Sequence, residues 1–363
     1  MLLLEKSAND PYETFLSVKH FGSLDGLRCF SIFAVLWHHS GIHIDFPLFQ
    51  RGQLGVHLFF AISGFLITTL MLRERIRHGD ISLPKFYMRR SLRIFPMYYA
   101  VLLTYAVAVF VLERGSDAGI EFFGNLPAFV TYTSNWFVDP NSGERVIFYF
   151  AWSLAVEEQF YLTWPWLERY LQPKVTLLLL LTLIGIVLAN HLGLLLWLIP
   201  TGSLAHRILW AIAPCILLGV LVAHVVHSKK GFSLLYALFG HALSSPVMLL
   251  IVIAVSSVPR FGMAGEYLVY LSLVFLVTSC TIREDNGLAR LLQLKPLVRF
   301  GIVSYGIYLM HMLCFNTTNL ASNTVKSPFL RWILGIIFVY LVAEFSFHTF
   351  ERWFLNLKSR FSR

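Results

Sequence analysis

Charge is scarce in this chain. Of 363 residues only 13% are charged while 57% are hydrophobic, whereas a soluble globular domain carries roughly 25% charged residues. A water-soluble fold is therefore excluded. The polar stripes that a soluble helical protein needs are also missing: residues 175–189, 208–226 and 267–282 are long, apolar and nearly uncharged, as bilayer-spanning helices must be. Cysteine is sparse too. Cys29, Cys215, Cys280 and Cys314 lie in or beside apolar runs and have no metal-ligand spacing, which excludes a disulfide framework or a zinc site and makes them packing residues; no metal is expected. Residues 1–23 have neither the apolar core nor the cleavage site of a signal peptide, so the first spanning helix is expected to serve as the insertion signal. No internal repeat, low-complexity segment or soluble second domain is visible.

What is present is long apolar segments with basic connections. The mean hydropathy is +0.67, and the apolar runs give about ten spans beginning near residues 27, 53, 94, 150, 174, 207, 232, 265, 298 and 329. A net charge of +9 suggests nucleic acid at first sight. The basic residues sit in short segments between spans, however, where positive-inside topology accounts for them and no nucleic-acid partner is needed. Arg73, Arg75, Arg77, Lys85, Arg89, Arg90 and Arg93 follow span two; Arg169 and Lys174 follow span four, Lys229 and Lys230 span six, and Arg283, Arg290, Lys295 and Arg299 span eight. These loops fall on one side. The longest opposite connection, residues 113–146, carries five acids against Arg114 and Arg145. The expected fold is thus an all-α, polytopic transmembrane bundle with both termini cytoplasmic: residues 1–23 an N-terminal segment, 24–354 the transmembrane domain and 355–363 a basic tail. Residues 122–150 read equally as a loop, a re-entrant segment or part of a split helix.

Ionisable side chains within hydrocarbon are costly and mark functional sites. The first span reads Leu24-Asp25-Gly26-Leu27-Arg28 and, further on, Trp37-His38-His39-Ser40. Arg28 and His39 are eleven positions apart, about three helical turns, so they share a face about 16 Å apart along the axis. His38 and His39 point about 100° apart and cannot both face one site. A histidine hydrogen-bonded to a neighbouring helix is the plain alternative, but His39 lies on the Arg28 face and is the preferred candidate. Glu157 and Glu158 follow Trp152-Ser153-Leu154-Ala155-Val156 and precede an aromatic run. Either could orient a histidine acting as general base on a hydroxyl, and either could be a solvated charge at a helix end. Arg90 and Arg93 stand at i and i+3, spacing that can grip phosphate and that positive-inside anchoring explains as well. Ser63-Gly64 invites a nucleophile reading, but an intramembrane serine protease would want Gly-x-Ser-Gly and Ala61 occupies the first place. Ala61 and Gly64 instead favour close helix packing.

Together these segments resemble the acyltransferase-3 family of membrane acyltransferases. The resemblance rests on Leu24 to Arg28 with His39, on residues 55–68, on residues 86–99 with Arg-x-x-Arg, on Asn135-Trp136, on residues 152–165, and on residues 301–311 ending Tyr308-Leu309-Met310-His311. It implies a ten-helix domain in the bacterial inner membrane that uses cytoplasmic acyl-coenzyme A, often acetyl, as co-substrate, with no bound cofactor. The acceptor it implies is a hydroxyl on an envelope polysaccharide or lipid-linked saccharide. It places the catalytic pair at His39 and Glu157 and the donor contacts at Arg28, Arg90 and Arg93, with Asp25, His38, Ser63, Trp152, Glu158 and His311 in support. His57 stands where the family often has Asp, and Glu351-Arg352-Trp353 lacks a frequent proline. The expected lack of a hydrolase-like domain implies that the protein acts alone or hands the acyl group to an envelope partner. The competing class is a transporter or flippase for an anionic or saccharide substrate. Against it stand the missing repeat and the lack of Gly- or Pro-interrupted helices in matching halves.

Overall fold

The computed structural model of the protein describes residues 10–139, 146–259, 262–321 and 325–361, and every regular element among them is helical. In chain order these are α1 (Pro11–Ser17), α2 (Gly22–His38), α3 (Leu54–His78), α4 (Leu83–Leu112), α5 (Asp117–Val130), α6 (Ser134–Phe137), α7 (Ala151–Tyr170), α8 (Pro173–His191) and α9 (Leu204–Ala211). There follow α10 (Pro214–Val226), α11 (Lys229–Phe239), α12 (Ser244–Ser257), α13 (Gly262–Thr281), α14 (Ala289–Leu292), α15 (Lys295–Ile302), α16 (Ser304–Ala321), α17 (Pro328–Ser346) and α18 (Arg352–Lys358). Local chemistry sets many of the ends. Ser116, Ser203 and Ser228 accept from the backbone N–H three residues on and cap α5, α9 and α11. Proline opens α4, α8 and α15, where its missing N–H costs nothing. Gly79 closes α3 in the left-handed conformation, φ +75°.

Among the described residues, α3, α4, α8, α13 and the stretch Pro328–Lys358 are long and apolar enough to cross a membrane. Counting each broken helix pair as one span raises the number to eight. The two other expected positions coincide with α2 and α7. The first has only 17 residues, and the second carries Glu157, Glu158 and Glu168, which takes both below a simple threshold of length and apolarity. Burial supports a lipid setting: only 22% of the apolar window of α8 and 17% of that beginning at Pro328 is covered by protein. Leu178 and Leu341 are more than half exposed, a state that water would not tolerate over whole helices.

Three expected continuous spans are broken. In one unit of the fold α11 and α12 are bent by 74° and α15 and α16 by 72°; α9 and α10 form the third pair. The apolar runs are unbroken in sequence at these places, but Gly240 ends α11 and Val303 ends α15. The expectation of uninterrupted helices is corrected accordingly.

The chain divides into two compact units, residues 10–79 with 214–344, and 80–213 with 345–361. In the first, α2, α3, α10 and α15 pack with almost no side chain between them. A Cβ on Gly64 would lie 2.2 Å from the Ile216 carbonyl oxygen, one on Gly219 2.5 Å from that of Ala61, and one on Gly301 1.9 Å from that of Asp25. This is the small-residue packing expected at Ala61 and Gly64. All four cysteines are buried and free. Residues 10–23 dock on the helices of this unit. Arg73 donates to the carbonyls of Val18 and of Phe15, the latter at 2.7 Å, and its guanidinium lies over the Phe15 and Phe21 rings.

In the second unit the stretch 122–150 is largely helical where described. Within it α5 packs on α4, and Tyr98 donates to the Phe129 carbonyl at 2.8 Å. Asn135 and Gln159 form a reciprocal amide pair at 2.9 Å, and Gln159 also donates to the Tyr132 carbonyl. Tyr132 adopts a positive φ of 54°, uncommon for an aromatic residue, while its ring stacks on Tyr98 at 4.3 Å. Residues 140–145 lie outside the described residues.

Candidate functional site

The ionisable residues of the first span take up two stations on α2. Near its start Asp25 is buried and accepts from Arg28 Nη1 at 2.7 Å, one turn on, while His20 Nε2 lies 3.1 Å from its other oxygen. Arg28 is thus held by a carboxylate of its own helix. At the far end the helix stops at His38, and His39 is its cap with φ −95° and ψ 10°. The rings of the two histidines meet edge to face, 5.1 Å apart. His38 packs against Gly52, whose added Cβ would meet the His38 Cβ at 2.6 Å, whereas His39 opens on a cavity.

That cavity, about 250 Å³, is lined by His39, Ser40, Gly41, Phe315, Asn319, Pro328, Arg331 and Trp332. Behind His39 stands His311 of α16, its ring centroid 4.9 Å away. His311 is fully buried, and its Nδ1 lies 2.6 Å from the Tyr308 carbonyl. A carbonyl only accepts, so Nδ1 carries the hydrogen and a neutral His311 keeps its lone pair on Nε2. An imidazole on a cavity can accept, hold and return a proton, which is the equipment of general acid–base catalysis, and here a second, buried imidazole packs behind it at a 47° tilt. Nearby, Trp332 Nε1 donates to the Leu36 carbonyl at 3.0 Å and its ring meets Trp37 edge-on at 5.2 Å. That wall is therefore fixed.

Other candidates lie elsewhere. Ser63 sits on α3 beside the Gly64 contact with α10, and His57 stacks on Tyr270 at 4.6 Å rather than on His39. Arg90, Arg93, Trp152, Glu157 and Glu158 belong to the second unit, on α4 and α7. Within it the Arg90 guanidinium lies 5.8 Å over the Phe86 ring and 5.7 Å over that of Tyr161 and interacts electrostatically with Glu158. Arg89 donates to the Phe361 carbonyl at 2.8 Å. Lys358 of α18 feels the charges of Arg89, Arg90 and Arg93, and Glu351 that of Arg93. Lys358 of the basic tail thus joins the arginine cluster. Arg331 and Trp332 were passed over. Arginine in the first turn of an apolar span was the available signal.

The order of motifs has a counterpart among known proteins. Residues 21–344 match the family model described as an acyltransferase domain. The chain belongs to the acyltransferase-3 family. Among curated proteins it is similar to the peptidoglycan O-acetyltransferase OatA of Listeria monocytogenes, 28% identical over 367 residues covering 93% of this chain and 56% of that protein. It is likewise similar to the O-acetyltransferase OatA of Staphylococcus aureus, 26% identical over 360 residues covering 93% of this chain and 58% of the relative. The chain therefore spans little more than half the length of these relatives. No solved structure matches it. In this acyltransferase-3 chain the matched region contains His39, the cavity and the Arg90–Arg93 helix alike.

Proposed function

We propose that this chain is a membrane O-acyltransferase that moves an acyl group, acetyl above all, from cytoplasmic acyl-coenzyme A to a hydroxyl of an envelope carbohydrate or lipid-linked saccharide. The observation that carries the reading is His39: it caps a spanning helix, opens on a cavity and is backed by a second buried histidine. Family membership supplies the reaction class, and the names of the two relatives supply the acetyl group and the carbohydrate.

In this reading the basic loops face the cytoplasm of a bacterial inner membrane. Arg90 and Arg93 take the coenzyme A phosphates, as guanidinium groups do best, and Arg28, steadied by Asp25, assists the donor. His39 removes the proton of the acceptor hydroxyl. The oxygen attacks the thioester carbonyl, the carbon–sulfur bond breaks, and the coenzyme A thiolate leaves with the proton returned from His39. Glu157 balances the imidazolium charge and His311 keeps the ring in place.

The broken pairs α11–α12 and α15–α16 also favour a second reading, since discontinuous helices line the substrate paths of transporters. The readings differ in whether coenzyme A is consumed. Purified protein in detergent is expected to release thiol from acetyl-coenzyme A when envelope glycans are added, and His39→Ala to lower that rate by about 10²–10⁴-fold. Equal release by the variant would remove His39 from the chemistry. Substrate movement without thiol release would favour the transporter.

A further inference from the structure

The cavity beside His39 contains a cation that the mechanism above does not use. Arg331 stands in the first turn of α17, and its Nε is buried with no hydrogen-bond partner. An N–H group shielded from water without an acceptor is destabilising, the more so on a charged side chain. An arginine at a span is retained where it faces an interior or a water-filled cavity. Among the described residues that line this cavity none is acidic, so Arg331 meets there an imidazole, an amide and aromatic rings but no counter-charge from the wall.

The remaining lining residues narrow the class of occupant. Trp332 offers a ring held by its bond to Leu36 and its edge contact with Trp37, a flat apolar surface of the kind on which a sugar ring lies. Asn319 adds an amide that both donates and accepts. A volume of about 250 Å³ falls just below the ~300–1,000 Å³ of pockets for drug-sized molecules and suits one sugar residue rather than a chain. We propose that Arg331 is an acceptor-selecting residue: it pairs with an oxyanion substituent, carboxylate or phosphate, on the saccharide whose hydroxyl is presented to His39. This rests on the acyl-transfer reading for its biological sense, but the binding it predicts stands apart from turnover.

The test is calorimetric binding to the purified full chain of three probes: a hexuronic-acid disaccharide, its carboxyl-reduced counterpart, and a hexose phosphate. Each is measured on the wild type, Arg331→Gln and Arg331→Lys, with acetyl-coenzyme A titrated into every sample as a check on folding. The wild type is expected to bind at least one anionic probe tenfold or more tightly than the neutral disaccharide, and the choice between carboxylate and phosphate names the substituent. Arg331→Gln should abolish that preference while leaving the acetyl-coenzyme A affinity within twofold. Arg331→Lys should keep part of it, since an ammonium retains the charge without the planar fork. A wild type that binds the neutral disaccharide as tightly as both anions would overturn the proposal, and so would an Arg331→Gln protein that keeps the preference or loses all three probes equally. Failure of the wild type to bind acetyl-coenzyme A would count against the acyl-transfer reading instead.

Discussion

Among the described residues, the glycines that meet the backbone of a sequence-distant segment lie in the first unit, whereas the close contact of the second, Gly119 with the Glu113 carbonyl oxygen 2.0 Å from its added Cβ, stays within one local turn. In the first, Gly26, Gly52, Gly55, Gly64, Gly219 and Gly301 each face the backbone of a neighbouring segment so closely that an added Cβ would fall within 2.6 Å of a carbonyl oxygen. In the second, Gly124 of α5 and Gly185 of α8 have no other group within 4 Å of where a Cβ would stand. The first unit therefore fixes its helices by backbone contact, and it is the unit that contains His39, His311 and the cavity. The second presents arginines and carboxylates on helices with ample apolar exposure. Rigid packing thus accompanies the groups proposed for proton transfer, where a displacement of about 1 Å is costly.

The largest effect expected from this contrast is on folding. Gly301→Val should drive its side chain into the Asp25 carbonyl and abolish the monodisperse protein in detergent chromatography, a destabilisation at or above the upper end of ~1–3 kcal/mol for overpacking. Gly185→Ala, by contrast, should raise the thermal midpoint slightly, through a stabilisation of up to ~1 kcal/mol, because a helical glycine with open space around it only loses entropy. Equal tolerance at both positions would dissolve the distinction between the units.

Next in size is the seat of the N-terminal helix. Arg73→Ala removes two charge-assisted bonds to the Phe15 and Val18 carbonyls and the cover over two phenyl rings. Each such bond contributes about 1.5–3 kcal/mol, so residues 10–20 should become readily cleaved by protease while the rest of the chain stays resistant. Unchanged protection would mean that α1 is held by its aromatic contacts and by the bond from the Tyr12 hydroxyl to the His227 carbonyl.

The smallest effect belongs to the connection after α13. Arg283 donates to Asp285 at 2.7 Å and holds its carboxyl below the usual carboxylate range. A lowered native pKa gives stability that is complete above the unfolded value near ~3.9 and is lost as pH falls through the lower one. The pair is exposed, so the contribution stays under ~1 kcal/mol. Asp285→Asn should lower the thermal midpoint at pH 7 by a corresponding amount, about a degree or two, and the deficit should disappear as pH falls below about 4, where the wild type loses the contribution too.

The positions of the helices were legible because hydrocarbon imposes long apolar runs, and His39 with Arg28 because one helix carries both. The partnership of His39 with His311 was not legible. It joins two distant helices, and the motif around His311 says nothing of which wall it faces. The breaks at Gly240 and Val303 were hidden because the flanking residues stay apolar and only the path of the chain turns. The bond from Arg28 to Asp25, three residues earlier on the same helix, is the local contact that an i, i+3 spacing permits. Arg331 was missed for a different reason: a single cation near the start of an otherwise lipid-facing helix resembles an interfacial anchor until the cavity beside it is seen.

The division between a chemical site on α2 and a donor grip on α4 is tested most directly by equilibrium binding of acetyl-coenzyme A to the wild type, His39→Ala and the double variant Arg90→Gln/Arg93→Gln. The account predicts that His39→Ala binds within about twofold of the wild type and that the arginine variant binds tenfold or more weakly, the scale of one or two lost charge-assisted contacts. Loss of binding in His39→Ala, or full binding in the arginine variant, would contradict it.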